Sequence, residues 1–110
     1  MADKSVPKYT IGNSLEGSDP INFAGHLRGR IIIPQTESLT SLTWHESPDG
    51  GETWVPSYYQ TGDDIASATE VAMVQSVTAG RAIDMPLNFE AASLLKAVGD
   101  VPGEIYISVV

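Results

Sequence analysis

The stretch Leu42-Thr43-Trp44-His45-Glu46 followed by Ser47-Pro48-Asp49-Gly50-Gly51-Glu52-Thr53-Trp54 decides how this chain is to be read. An alternating run leads into a turn built from Pro, Asp and two glycines, and the chain then resumes with Thr and Trp. Gly50 and Gly51 tolerate the positive φ angles of a tight reversal, and the Ser47 and Asp49 side chains can bond nearby loop N–H groups. The pattern predicts two strands, residues 39–46 and 53–60, folded back around Asp49. Trp44 and Trp54 are equidistant from Asp49, so a loop with an odd number of residues sets the indoles opposite each other as a cross-strand pair. Ser47, Asp49, Gly50, Gly51, Thr53 and Trp54 are therefore expected to be hairpin-forming residues, and the scaffold to be all-β.

Outward from the hairpin, short strands recur at the spacing of a sandwich or barrel. Strands are expected at residues 9–11, near Leu15, and at 27–33, where Leu27, Ile31 and Ile33 share one face and Arg28, Arg30 and Ile32 the other. One long strand is expected at 68–78, where β-branched residues argue against a helix. Others follow at 81–85, 94–98 and 104–110, the last with Ile105, Ile107 and Val109 on one face. Residues 89–98 also contain good helix formers, but the strand rhythm of their neighbours favours a turn leading into a strand. The expected fold is an antiparallel β-sandwich, jelly-roll-like, of about eight short strands. Residues 1–8 are expected to form a flexible arm, and 9–110 a single domain.

A chain of 110 residues with 42% hydrophobic residues can bury a core without metal or disulfide, and it has no cysteine. The formal net charge is −8, and residues 35–80 carry seven acids and no base. Phosphate binding draws on Lys and Arg, so this balance argues against nucleic acid and against an anionic membrane surface. Met1 to Pro7 lacks the apolar stretch of a signal peptide, and Pro34 halts the run Ile31-Ile32-Ile33. The expectation is a soluble protein made in the cytoplasm.

Reactive constellations are scarce. His26 and His45 stand in no metal-ligand spacing, no Ser lies in a G-x-S-x-G setting, and no glycine pattern resembles a phosphate loop. No catalytic, cofactor or metal residue is assigned. Glu46 and Glu52 are also equidistant from Asp49. Facing each other, they either splay into water or share a cation such as Ca²⁺ with Asp49. Trp54, Tyr58 and Tyr59 suit either a core and a subunit contact or the stacking face of a carbohydrate site.

Residues Ser47 to Trp54 resemble the Asp-box of sialidases and other β-propellers, where the motif is a structural hairpin tip. A single copy cannot build a propeller. Across its length the chain also resembles small phage and prophage virion proteins. The likeness is carried by Thr10-Ile11-Gly12-Asn13-Ser14-Leu15-Glu16-Gly17, by Arg28-Gly29-Arg30-Ile31-Ile32-Ile33-Pro34, by the hairpin itself, and by Leu94-Leu95-Lys96-Ala97-Val98-Gly99 with Glu104-Ile105-Tyr106-Ile107. The closing pair departs from the family in being less basic.

This resemblance implies a non-enzymatic virion protein, such as a capsid cement or decoration protein, made in the host cytoplasm. Its expected partners are the major capsid protein or other virion subunits, and a homotrimer is the implied assembly. Arg28, Arg30, Tyr58 and Tyr59 are the interface candidates. The alternative is a small carbohydrate-binding or adhesion module of a tail or fibre.

Overall fold

The computed structural model describes residues 6–23, 29–61, 69–85 and 94–109. Every regular element among them is a β-strand: β1 Lys8–Ile11, β2 Ile21–Asn22, β3 Gly29–Ile33, β4 Ser41–Glu46, β5 Val55–Pro56, β6 Tyr58–Thr61, β7 Thr69–Ala72, β8 Val74–Ser76, β9 Arg81–Asp84, β10 Leu94–Gly99 and β11 Gly103–Val109. The first sheet runs β1-β11-β3-β9 and the second β2-β10-β4-β5, with β8 also on β4. All these pairings are antiparallel. Strands β6 and β7 form a separate two-stranded ribbon.

Setting β6, β7 and β8 aside as an insertion leaves eight strands in two sheets of four, with successive strands mostly in opposite sheets. That order, first-eighth-third-sixth over second-seventh-fourth-fifth, is the jelly-roll arrangement. The expected fold class holds, and the strand count exceeds eight because of the insertion.

Alternation explains why the two sheets meet. Ile31 and Ile33 of β3, with Ile105 and Ile107 of β11, point inward with at most 1% exposure. From the other sheet Leu42, Trp44, Leu95 and Ala97 meet them at 0% exposure. Ile11, Ile21, Phe23, Leu39, Met73, Val77 and Met85 complete the core. Each such side chain contributes roughly 1.5–3 kcal/mol when fully buried. Arg30 and Ile32 take the outer face of β3, as expected.

Several expectations need correction. No strand forms near Leu15: residues 12–18 make a turn in which the buried Ser18 hydroxyl accepts from Gly12 N–H (3.0 Å) and donates to the Ser14 carbonyl (3.0 Å). A Cβ on Gly12 would lie 2.7 Å from the Gly17 backbone, so glycine is required there. Strand β2, within Pro20-Ile21-Asn22-Phe23, was not expected. The supposed arm is shorter than eight residues, because Ile107 N–H donates to the Pro7 carbonyl (3.1 Å) and Lys8 opens β1. The long strand at 68–78 is two strands in different sheets, broken at Met73. The expected strand after residue 93 forms as β10, whereas Leu27, Arg28 and the expected turn at 89–92 lie outside the described residues.

Candidate functional site

Turn chemistry builds the Ser47–Thr53 loop as its residues suggest. Gly50 and Gly51 take φ of 75° and 103°. The Asp49 carboxylate accepts from Thr53 N–H (2.8 Å), Thr53 hydroxyl (2.6 Å) and Ser47 hydroxyl (3.0 Å). Ser47 Oγ in turn accepts from Gly51 N–H at 2.7 Å. The Thr53 hydroxyl, together with its N–H, holds the Asp49 carboxyl below its ordinary range. This loop spends its polar groups on itself.

The register corrects what the two arms bring together. Glu46 pairs with Val55 and His45 with Pro56, so the loop holds an even number of residues and the indoles do not face each other. Trp44 is fully buried, while Trp54 is half-buried under the Lys96 ammonium, 4.9 Å from its ring centroid. Glu46 and Glu52 do not oppose one another either. Glu46 instead accepts a 2.6 Å bond from the buried Ser57 hydroxyl. No group of three His, Cys, Asp or Glu side chains suited to a metal is present among the described residues.

Beyond Pro56 the chain leaves the second sheet. Ser57 N–H donates to the Trp44 carbonyl (2.9 Å), Met73 N–H to the Ser57 carbonyl (2.9 Å), and Trp44 N–H to the Met73 carbonyl (3.1 Å). This closed ring of backbone bonds lets the ribbon β6–β7 branch from β4 without stranding a buried polar group. Strand β4 therefore shares its outer side, with β5 along His45 and Glu46 and β8 along Ser41, Leu42 and Thr43.

Among the described residues, Val55 (51% exposed), Tyr58 (51%) and Val74 (55%) are the exposed large hydrophobic residues, and all three flank this branch. They belong to two runs without Asp, Glu, Lys or Arg, residues 53–62 and 71–80, in a chain that is 18% charged. Sequence reasoning singled out Tyr58 and missed Val55 and Val74; the charge-free runs were the available signal. The side chain of Tyr59, and all of Arg28 and His26, lie outside the described residues.

Arg30 is committed within its own sheet. Its guanidinium reaches Asp84 Oδ1 at 2.8 Å and the Ala82 carbonyl at 3.2 Å. Gln75, unremarked in the sequence, bridges the sheets: its Oε1 accepts from Trp44 Nε1 (3.1 Å) and its Nε2 donates to the Asp84 carbonyl (2.6 Å).

Other polar groups offer little chemistry. His45 has a buried Nδ1 without a hydrogen-bond partner, and desolvation lowers its pKa, so it is neutral at pH 7. An open cleft of about 520 Å³ is lined by Thr10, Ile11, Asn13, Glu37 and Glu104. Its Glu37 carboxylate accepts from Glu104 N–H (2.8 Å), and Glu104 pairs with Lys8 (3.2 Å).

Comparison with protein-family models, curated proteins and solved structures finds no match to this chain.

Proposed function

We propose that this chain is a non-enzymatic structural protein of a virion, a capsid cement or decoration protein that stabilises the shell by bridging its subunits. The observation that carries this reading is that the large hydrophobic side chains exposed among the described residues, Val55, Tyr58 and Val74, all lie on the strands that branch from β4, within runs of sequence free of Asp, Glu, Lys and Arg. Exposed apolar groups gathered in one place favour contact with another macromolecule over catalysis. Jelly rolls serve as capsid domains, which agrees with the resemblance to small virion proteins. Particle binding would stabilise the shell by mass action, since each bound copy favours the closed, subunit-paired state.

Emptied particles incubated with the pure protein test this. Saturable co-sedimentation, weakened by Tyr58→Ala while the strand-type circular dichroism spectrum is kept, is the expected result. Absence of binding at saturating protein would overturn it. Jelly rolls also serve as lectin domains, and the half-exposed Tyr58 ring favours a second reading as a carbohydrate-binding module of a tail or fibre. Glycan-array binding abolished by Tyr58→Ala, without particle binding, would select that reading.

A further inference from the structure

Most carboxylates on the described residues are engaged within the chain, accepting backbone N–H groups, a hydroxyl or an ion pair, as Asp19 does from Thr10, Glu46 from Ser57 and Asp84 from Arg30. The carboxylates of Glu16, Glu52 and Glu70 take no hydrogen bond or ion pair from another described residue. Glu16 and Glu52 stand in loops open to water. Glu70 differs, because it stands on a strand, in the ribbon β6–β7.

The ribbon's register sets what lies beside it. Tyr58 is opposite Ala72, and Glu70 is two residues along from Ala72 on the same strand. Side chains alternate along a strand, so Tyr58, Ala72 and Glu70 share one face of the ribbon. All three are exposed. Tyr58 and Glu70 are diagonal neighbours on that face, about 7–8 Å apart, close enough for both to touch one group seated over the small Ala72. Elsewhere the chain provides a cation for an aromatic ring: Lys96 lies 4.9 Å from the Trp54 centroid. At Tyr58 it provides none. Lys8 and Arg30 are held in ion pairs, Lys96 also bonds the Leu15 carbonyl, and no base occurs between residues 35 and 80.

We propose that Tyr58 and Glu70 form a docking site for an arginine side chain on a basic partner protein, an inference that rests on reading this branch as a contact surface and names the chemistry of what it meets. The guanidinium lies flat on the Tyr58 ring and turns its N–H fork to the Glu70 carboxylate, so ring and charge act on one group. Lysine matches the charge but offers neither the fork nor the flat face. A metal ion needs more oxygen ligands than one carboxylate gives. A neutral glycan would stack on the ring and leave the charge of Glu70 unused. The net charge of −8 draws a basic surface from a distance and repels a second copy of this chain.

Titrating the ¹⁵N-labelled full chain with a capped tri-arginine peptide tests this, alongside tri-lysine and the uncharged tri-citrulline. Tri-arginine should shift the backbone amides of Tyr58, Glu70 and Ala72, tri-lysine should do so more weakly, and tri-citrulline should not. Glu70→Gln and Tyr58→Ala should each weaken tri-arginine binding about fivefold, while Tyr58→Phe, which keeps the ring, should preserve it. Glu16→Gln removes the same charge from a distant loop and should leave binding unchanged. Equal losses from Glu16→Gln and Glu70→Gln would reduce the effect to general attraction and overturn the proposal. So would shifts confined to other residues, or the same shifts with tri-citrulline. Shifts at these amides on raising protein concentration alone, with none added by peptide, would give the face to a second copy and overturn it too. Emptied particles are read separately. Particle binding indifferent to Glu70→Gln would remove this site and leave the capsid reading, whereas arginine binding without particle binding would remove the capsid reading and leave the site.

Discussion

Two strand edges lie at one corner of this molecule and are treated in opposite ways. Strand β9 closes the first sheet with Arg30 and Gln75 on its outward carbonyls, while β8 of the second sheet leaves Val74 and Ser76 without side-chain caps. The difference teaches what the polar residues here are for. Four of the fourteen carboxylates cap backbone N–H groups: Asp19 holds Thr10, Glu37 holds Glu104, Asp49 holds Thr53, and Asp100 holds Thr40 and Ser41. The strong negative charge is thus partly a by-product of closing loops and edges.

The sharpest way to break the contrast is Gln75→Leu. This side chain receives the Trp44 indole N–H and covers the β9 carbonyl at Asp84, so it ties the two edges together. Losing it removes the Gln75 acceptor from the indole N–H of the fully buried Trp44, at a cost of about 2 kcal/mol. Thermal unfolding should fall by roughly 10 °C. An unchanged melting temperature would mean that the bridge contributes nothing to the corner.

Acid should act next, through the caps themselves. Thr40 N–H and the Thr40 hydroxyl, each at 2.8 Å, with Ser41 N–H, hold the Asp100 carboxyl at about 2, below its ordinary 3.8. A depressed carboxylate stabilises the fold above its unfolded value, and that stability is lost as pH falls through the folded value. The contribution of Asp100 is therefore complete above pH 4 and disappears between 3.8 and about 2. Asp49 moves in the same direction. Denaturant melts should show wild type losing stability in that window more steeply than Asp100→Asn; parallel curves would show that the cap is not linked to folding.

A smaller effect belongs to the other closed edge. Asp19→Ala frees Thr10 N–H to water at an exposed strand, costing about 1 kcal/mol. Urea unfolding should show a lower midpoint at an unchanged slope. A changed slope would point to wider opening of β1.

What was legible in the sequence follows the same division. Alternation at Ile31, Ile33, Ile105 and Ile107 gave the core-facing strands, because burial of one face imposes a period of two. The loop from Ser47 to Thr53 was readable because its bonds are local. The branch at Ser57 and Met73 was not. Both residues look like ordinary strand positions, and only the long-range ring through Trp44 explains why the chain changes sheets there. The expected pairing of Trp44 with Trp54 failed for a related reason: register depends on loop parity, and symmetry about Asp49 does not fix it. The uncapped edge was hidden because capping residues such as Asp19 and Gln75 lie far in sequence from some of the groups they serve.

Arg30 gives the smallest expected change and the finest discrimination. Its ion pair with Asp84 is solvent-exposed, with side chains 56% and 78% accessible, so screening limits its worth to below about 1 kcal/mol. Arg30→Ala should leave the melting temperature nearly unchanged. It nonetheless uncovers the Ala82 carbonyl and leaves Asp84 without its cation, which converts part of β9 toward the condition of β8. If capping is what keeps β9 from pairing, Arg30→Ala should add a weak association step in light scattering beyond any that wild type shows. If Arg30 serves instead as the electrostatic contact to a capsid subunit, the variant should lose particle binding with no new self-association. The two outcomes separate a residue that guards an edge from one that meets a partner, because only the first depends on the backbone group it covers.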